Sequence, residues 1–240
     1  MPIVLSYDTE TTGLDTKKDE VVEVGALLYS TGQKRVLESV SFLVKTDLPI
    51  TEEVTKITGI VKPALDRFGY ESDNALDVVT DLMSQADLII GQNVIQFDKR
   101  ITDSWAKRVN KQLPEKLWAD TRTDLPGCEG KHLGYMAADH GFLNMFPHSA
   151  LADAQTVLKI LSFYDIEEVI KRAKSPSIVI RSLQSMDQNR EASKRKFRWK
   201  PELNKRWLKV IKECDIESEM AANPFKISIE KDVPVELMWD

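Results

Sequence analysis

A short apolar run near the start of the chain ends in two acidic residues, and this junction constrains the fold more than any other feature. Residues 3–9 predict a buried strand. Because side chains alternate between the two faces of a strand, Asp8 and Glu10 are expected to point the same way. Two carboxylates about 7 Å apart repel each other and lose hydration beside a core unless a cation lies between them. The pattern therefore indicates either a solvated acidic strand end or one half of a cation site.

The first two thirds of the chain contain strand patterns followed by an alternation of strand and helix patterns. Further strands are predicted at residues 20–29, 39–44 and 87–91. Helices are predicted at residues 52–57, 74–85, 98–109, 133–139 and 149–164. This order of elements favours an α/β fold in which a mixed sheet is layered with helices.

The charge is distributed unevenly along the chain. The whole chain has a net charge of −5, but residues 171–212 hold 14 lysines and arginines and only three acidic residues, Asp187, Glu191 and Glu202. A compact basic stretch is typical of a polyanion contact, since neutralising phosphates releases counterions. The Lys-Ser-Pro-Ser sequence at residues 174–177 reads as a linker. We therefore predict two domains, residues 1–170 and residues 175–240.

The second domain is predicted as a small basic α+β module. A strand at residues 178–183, a helix at 189–194, a turn at 201–204 and a strand at 206–211 suggest a βαβ-like unit. Three aromatic residues are interleaved with the cations: Phe197, Trp199 and Trp207. They are expected to form the core of so small a unit, although stacking on nucleobases is the alternative. The lysines and arginines are expected to contact nucleic acid.

Two further segments carry acidic residues beside apolar elements. Asp98 follows the predicted strand at 87–91 and starts a helix, where an acidic residue is also favoured by the helix dipole alone. Asp153 lies in the helix that follows the N-cap candidate Ser149, and His148 lies in the preceding loop. Each of these residues taken alone is more simply explained as a surface group.

Taken together, four carboxylates and one histidine predict a divalent-metal site suited to phosphoryl displacement. Hard oxygen ligands in this number suit Mg²⁺ or Mn²⁺ better than zinc. Two such ions can clamp the attacking and leaving oxygens of an in-line phosphoryl displacement. A histidine beside the cluster has a pKa near neutrality and can accept a proton from the attacking water.

Three motifs resemble those of the DnaQ-like 3′→5′ exonucleases of the DEDDh type. They are Asp-Thr-Glu-Thr-Thr-Gly-Leu at residues 8–14, Asn-Val-Ile-Gln-Phe-Asp at 93–98 and His-Ser-Ala-Leu-Ala-Asp-Ala at 148–154. Ile-Thr-Gly-Ile at 57–60 and Asp120-Thr121 are weaker matches. Gln92 departs from the histidine found there in many members, which puts substrate detail in doubt. The resemblance covers residues 1–165.

The resemblance implies a ribonuclease H-like fold, with a mixed five-stranded sheet flanked by helices, and two divalent cations, Mg²⁺ or Mn²⁺. Asp8 would bridge both ions, Glu10 and Asp153 would hold the ion that activates water, and Asp98 would support the other ion. His148 would be the general base. The implied contacts to the terminal nucleotide come from the backbone around Thr9 and Thr11 and from the side chain of Leu14, which would lie against the terminal base. Asn93 and Phe97 are either further substrate contacts or core and helix-start residues.

The sequence thus predicts a metal-dependent 3′→5′ exonuclease that hydrolyses the terminal phosphodiester of DNA, at single-stranded or frayed ends, to release nucleoside 5′-monophosphates. An exoribonuclease of the same family and a non-catalytic nucleic-acid-binding or polymerase-associated subunit are the alternatives. The absence of a long apolar run and of a basic leader leads us to expect a cytoplasmic protein of a bacterium or phage with no membrane partner. Cys128 and Cys214 are not expected to form a disulfide framework. We assign no metal to Asp120 and expect structural roles for His132 and His140.

Overall fold

The computed structural model describes residues 1–185 and 188–238, so Asp187 of the basic stretch lies outside the described residues. Its contacts divide the chain into two compact units, Met1–Ala173 and Lys174–Asp240. Within the described residues, no helix combines the length and the apolar character that crossing a membrane requires. Cys128 is buried, Cys214 is exposed, and both are free thiols.

The first unit is built on a five-stranded sheet in the order β3-β2-β1-β4-β5. The strands are β1 Ile3–Thr11, β2 Val21–Ser30, β3 Arg35–Leu43, β4 Leu88–Gly91 and β5 Leu117–Asp120. β2 runs antiparallel to both β1 and β3, whereas β4 runs parallel to both β1 and β5. The predicted mixed five-stranded sheet is thereby confirmed, and β1, the strand that ends in Asp8 and Glu10, lies at its centre.

Helices cover both faces of this sheet. They are α1 Glu52–Thr58, α2 Lys62–Phe68, α3 Ser72–Gln85, α4 Asp98–Arg108, α5 Thr121–Asp124, α6 Leu133–Asp139, α7 Ala150–Leu161 and α8 Ile166–Lys174. Sequence patterns did not predict α2, α5, α8 or the strand β5. β5 has only four residues, which is too short for an alternating pattern to be recognised.

The alternation of side chains along β1 assigns its residues to two cores. Leu5 and Tyr7 are fully buried in a core formed with α3 and α4. Val4 is fully buried in the opposite core, which includes Val157 and Ile160 of α7. Residues of even number on β1 therefore face α7. This places the carboxylates at positions 8 and 10 on the α7 side of the sheet.

The second unit contains a four-stranded sheet in the order β7-β8-β6-β9. Its elements are β6 Ser177–Ser182, α9 Asn189–Lys194, β7 Arg198–Lys200, β8 Arg206–Lys212, a 3-10 turn at Glu213–Asp215, α10 Ile216–Ala222, β9 Ile227–Glu230 and a 3-10 turn at Val235–Met238. β6 and β8 are antiparallel neighbours. The βαβ-like interpretation was therefore wrong, because that unit requires parallel strands.

The aromatic residues of the second unit have different environments. Phe197 is buried, and Trp207 packs against the same cluster as Phe197 and Ile180. Trp199 is 46% exposed although its ring lies 5.8 Å from that of Trp207. The expectation that all three form the core was wrong for Trp199, because its strand β7 is at the edge of the sheet and leaves the outer side of the indole uncovered.

The charge of the second unit is more balanced than that of the basic stretch. Residues 174–240 contain 14 basic and 11 acidic residues, since the segment after residue 212 is rich in glutamate and aspartate. Some of these acids pair with the cations: Lys209 lies 2.7 Å from Glu219, and Arg206 pairs with Glu230. The cations are thus partly neutralised within their own unit.

Candidate active site

Asp8 and Glu10 lie near the C-terminal end of β1, on the face of the sheet that α7 covers. Across the β1–β2 ladder, Asp8 lies opposite Gly25 and Glu10 lies opposite Glu23. The register shifts immediately after Glu10, so pairing is disturbed where the two carboxylates end the strand. The sequence prediction that Asp8 and Glu10 share one face agrees with this ladder.

Asp98 reaches the end of β1 from the start of α4. Its Oδ1 accepts hydrogen bonds from the backbone N–H of Thr9 at 2.9 Å and from the Thr9 hydroxyl at 2.6 Å. Asp98 is only 3% exposed, so the alternative of a solvated helix-start acid does not hold. Burial raises the pKa of Asp98 to about 7 against the lowering effect of the Thr9 hydrogen bonds.

His148 and Asp153 are joined by a loop that turns back on the helix. His148 has a left-handed backbone with φ of 61°, and its N–H donates to Asp153 Oδ2 at 3.1 Å. Asn144 donates its side-chain amide to Asp153 Oδ1. One ligand atom from each of Glu10, His148 and Asp153 lies within 4.8 Å of the others. The loop therefore brings the imidazole to the carboxylate of β1.

The electrostatics of the cluster link all of its carboxylates. Burial raises the pKa of Asp8 well above its usual value, and the charges of Asp98, Asp153, Glu10 and Glu23 raise it further. Burial and the charges of Asp153, Glu23 and Asp98 raise the pKa of Glu10 to about 8. So many carboxylates facing one another are unfavourable without a counter-charge. Their number and their hard oxygen donors suit divalent cations such as Mg²⁺.

Sequence patterns missed two residues of this cluster. Glu23 of β2 lies opposite Glu10, and burial raises its pKa, as does the charge of Asp153. Asn144 holds Asp153 and also accepts the backbone N–H of Phe146 at 3.2 Å. The signal for Glu23 was a single charge inside the apolar run Val-Val-Glu-Val at residues 21–24. Asn144 has no comparable signal, because it lies in a loop without periodicity.

The two threonines expected near the substrate make hydrogen bonds within the protein. Both donors of Thr9 go to Asp98. The hydroxyl of Thr11 donates to the carbonyl of Gly13 at 2.6 Å, and Thr11 is buried. Leu14, by contrast, is 87% exposed just beyond β1. Among these residues, Leu14 is the one whose side chain is open to a ligand.

Asn93 and Phe97 are tied to the scaffold. The side-chain oxygen of Asn93 accepts from Arg122 at 2.9 Å, and its backbone N–H donates to Asp120 Oδ1 at 3.1 Å. Phe97 is the N-cap residue of α4 and packs against the core formed with α3 and α4. These contacts favour the core and helix-start interpretation over substrate contact for both residues.

The residues left out of the metal set have structural partners. Asp120 caps α5 by accepting the N–H of Arg122 at 2.9 Å, and it also receives the N–H of Asn93. His140 bonds to the carbonyl of Met136 at 2.7 Å and to the Tyr164 hydroxyl at 3.0 Å. The contacts of His140 are those of a residue with the structural role expected from the sequence.

Comparison with curated proteins finds relatives among bacterial nucleases and polymerases. The chain is 29% identical over 170 residues to a protein named DNA polymerase III PolC-type from Thermotoga petrophila, covering 69% of this chain and 12% of that protein. It is 24% identical over 176 residues to a protein named 3′-5′ exonuclease DinG from Staphylococcus saprophyticus, covering 70% of this chain and 19% of that protein. The chain therefore spans less than a fifth of the length of either relative.

Comparison with solved structures identifies the same fold. E. coli exonuclease I in complex with a dT13 oligonucleotide matches with a TM-score of 0.61 and 16% identity, over 76% of this chain and 48% of that one. The nuclease domain of 3′hExo, described as a DEDDh family member bound to rAMP, matches with a TM-score of 0.55 and 17% identity, over 66% of this chain and 89% of that one. At these identities the likeness establishes the fold, which is the ribonuclease H-like one expected from the sequence.

The family model RNase_T, described as an exonuclease, matches residues 5–161. This range begins within β1 and ends with α7, so it contains Asp8, Glu10, Asp98, His148 and Asp153. It covers well over half of the chain. The chain therefore belongs to the RNase_T family of exonucleases, within the DnaQ-like group.

Proposed function

We propose that this chain is a metal-dependent 3′→5′ exonuclease that removes nucleoside 5′-monophosphates from the 3′ end of DNA. The observation that carries the proposal is the half-buried carboxylate cluster near the end of β1, in which one ligand atom from each of Glu10, His148 and Asp153 lies within 4.8 Å of the others. A strand end carrying a phosphodiester is an anion, so a cluster of this sign binds it only together with cations. The PolC-type and DinG relatives, by their names, support a nuclease acting during DNA metabolism.

The four carboxylates would serve as ligands of two cations. Glu10 and Asp153 would hold one ion, Asp98 would support the other, and Asp8 lies on the same face as Glu10 to bridge them. When bound, two such ions neutralise the phosphate charge and lower the pKa of the attacking water. The pKa values of Asp8, Glu10 and Asp98 are raised by burial and by one another. These carboxylates would therefore ionise together as the cations bind.

His148 is proposed to accept the proton of the attacking water. The water oxygen would bond to phosphorus, and the bond from phosphorus to the 3′ oxygen of the preceding nucleotide would break. That oxygen would leave with the bonding electrons and take a proton from solvent water. The products are a nucleoside 5′-monophosphate and a strand shortened by one residue. His148 is exposed, and its backbone is fixed by the hydrogen bond to Asp153, so the imidazole can take up and release a proton to solvent.

Leu14 is proposed to contact the terminal base, because it is the predicted contact whose side chain lies open beyond β1. Thr11 would act through its backbone, since its hydroxyl is bonded within the protein. Thr9, whose N–H and hydroxyl both bind Asp98, would act by holding that carboxylate. DNA is favoured over RNA because the PolC-type relative is a DNA polymerase by name and exonuclease I is described with dT13. The description of 3′hExo with rAMP keeps an exoribonuclease as the alternative.

The second unit is proposed to contact the nucleic acid strand outside the catalytic cluster. Trp199 is half exposed on the edge strand β7. An exposed indole can stack on a base. The near balance of basic and acidic residues in this unit limits the contribution of charge alone, so we expect stacking to matter more than general attraction.

The test is a comparison of three substrates labelled at the 5′ end: single-stranded DNA, duplex DNA and RNA. Each is incubated with Mg²⁺ and resolved on a denaturing gel, with Asp8→Asn as the matched inactive control. We expect single-stranded DNA to shorten stepwise from the 3′ end. Internal cutting would contradict an exonuclease, and preferential shortening of RNA would favour the exoribonuclease alternative.

A second candidate role is proofreading beside a polymerase, which the PolC-type relative favours. A proofreading enzyme acts on frayed primer ends. Hydrolysis of a duplex with a mismatched 3′ terminus should then be faster than hydrolysis of the matched duplex. Equal rates on both duplexes, together with fast hydrolysis of single strands, would favour a general single-strand nuclease.

A further inference from the structure

The start of α7 lies directly against β2 at Gly25. A Cβ atom added to Gly25 would lie 2.1 Å from the carbonyl carbon of Ala150 and from the nitrogen of Leu151. No side chain fits in that space, so glycine is required for the helix to approach the strand. The position of α7, which carries Asp153, is therefore set by backbone contact with β2.

Glu23 lies two residues before Gly25 and on the same face of β2. Its Oε2 accepts the backbone N–H of Ala150, the first residue of α7, at 3.2 Å. Ser149 is the N-cap residue of α7 but its side chain makes no capping hydrogen bond. A side-chain cap from Ser149 was expected from the sequence, and a glutamate from the neighbouring strand takes this role instead. The first amide of α7 is thus bonded to the sheet.

A third contact fixes α7 one turn further along. The hydroxyl of Ser6 on β1 donates to the carbonyl of Ala154 at 2.7 Å. Asp153 lies between the two anchored residues, Ala150 and Ala154, and its carboxylate in turn accepts the N–H of His148. A shift of the helix start would move Asp153 and His148 together relative to Glu10.

We propose that Glu23 is a positioning residue that sets the distance between the two halves of the site through its hydrogen bond to Ala150. The essential property of Glu23 is an acceptor oxygen on a side chain long enough to reach the Ala150 N–H, and the charge of Glu23 is secondary. In this proposal Glu23 acts through the start of α7 and not through contact with the substrate. This inference rests on the proposed function for its kinetic effect, while the hydrogen bond is open to a test of its own.

Substitutions at position 23 separate reach from charge. Glu23→Gln keeps an acceptor at the same reach and removes the charge. Glu23→Asp keeps the charge and shortens the side chain by one methylene, so that the acceptor no longer reaches Ala150. Glu23→Ala removes both. Glu38→Ala, at an exposed glutamate on β3 of the same sheet, is the matched control.

The experiment measures kcat and KM on a single-stranded oligonucleotide at saturating Mg²⁺, with thermal melting to confirm folding. We expect Glu23→Ala and Glu23→Asp to lower kcat by roughly 10- to 100-fold, because small misplacements of reacting groups are costly. KM should stay within about threefold and Glu23→Gln should retain most of the kcat of the wild type. The opposite order, with Asp active and Gln inactive, would overturn the proposal in favour of a role for the charge. A wild-type kcat in Glu23→Ala would overturn it as well.

Hydrogen exchange at the Ala150 amide provides the readout that does not depend on activity. We expect exchange to accelerate on the order of tenfold in Glu23→Ala and Glu23→Asp but not in Glu23→Gln, as for loss of a helix cap. Unchanged exchange in Glu23→Ala would overturn the proposed anchor. If the variants showed this exchange pattern but the wild type had no exonuclease activity, the proposed function would be wrong and the hydrogen-bond anchor would still be supported.

Discussion

Thr9 donates both its backbone N–H and its hydroxyl to the same oxygen of Asp98, at 2.9 and 2.6 Å. Thr9 lies on β1 between Asp8 and Glu10, and Asp98 opens α4. The pair therefore couples the central strand to the helix that supplies a carboxylate from a distant part of the chain. Thr9 acts within the proposed site by orienting Asp98, in addition to any contact that its backbone makes with substrate.

Removing the Thr9 hydroxyl should disturb the orientation of the Asp98 carboxylate without creating a cavity. In Thr9→Val the shape is kept and one of the two hydrogen bonds is lost. We expect kcat to fall about 10-fold, since hydrogen bonds to charged groups contribute roughly 1.5–3 kcal/mol. Thr9→Ser keeps the hydroxyl and serves as the control. Steady-state kinetics of the two variants check this, and equal activities would show that the hydroxyl is dispensable.

His148 should be needed for turnover rather than for binding. We expect His148→Ala to lower kcat by roughly 10²–10⁴ with little change in KM, the usual range for loss of a general base. His132→Ala is the control, because His132 is exposed and makes no side-chain capping bond at α6. A near wild-type kcat in His148→Ala would leave His148 as an ordinary loop residue.

The metal-free protein should lose stability as the pH rises. Burial raises the pKa of Glu10 from 4.5 to about 8, with neighbouring carboxylates adding to the effect, and burial raises the pKa of Asp98 from 3.8 to about 7. Protons bind the folded state more tightly than the unfolded state at these groups. Their contribution is complete below pH about 4 and is lost as the pH rises through about 8.

Melting curves in EDTA between pH 5 and 9 measure this contribution. We expect the fall in Tm across that range to be smaller in Glu10→Gln than in the wild type, because the amide does not ionise. Mg²⁺ should raise the wild-type Tm more at pH 8.5 than at pH 5.5, since cations bind the ionised carboxylates. An equal Mg²⁺ effect at both pH values would contradict the link between the cluster and the cations.

Trp199 should contribute to substrate binding and not to folding. We expect Trp199→Ala to raise the KM for single-stranded DNA several-fold, with kcat and Tm close to those of the wild type, as for loss of one stacked base at about 1–3 kcal/mol. Phe197→Ala is the contrasting variant, because Phe197 is buried and its loss should lower the Tm. An unchanged KM in Trp199→Ala would remove the main support for a nucleic-acid contact in the second unit.

Local patterns in the sequence predicted most elements of the first unit and the shared face of two of the carboxylates. The alternation along β1 was sufficient to place Asp8 and Glu10 on one face, because a strand has only two faces. The proximity of Asp98 and Asp153 to that face was predicted through the family resemblance rather than from periodicity. These residues come from distant segments: Asp98 is brought in by the parallel pairing of β1 with β4, and Asp153 by the contact of α7 with β2.

Features that depend on tertiary contacts were missed. Glu23 looked like an isolated charge in an apolar run, and only the ladder with β1 shows that it faces Glu10. Ser149 had the residue type of a side-chain cap, but Glu23 reaches the first amide of α7 from another strand. The direction of β8 beside β6 is likewise set by chain reversal in space and not by any pattern within either strand.

The most direct test of the central claim is a calorimetric titration of the protein with Mn²⁺ in the presence of a nucleoside 5′-monophosphate. We expect the wild type to bind two ions, as a two-metal site requires. Asp8→Asn should lose binding of at least one ion while remaining folded, because Asp8 is the carboxylate proposed to bind both. If Asp8→Asn bound Mn²⁺ with the same stoichiometry and affinity as the wild type, the cluster at the end of β1 would not be the metal site.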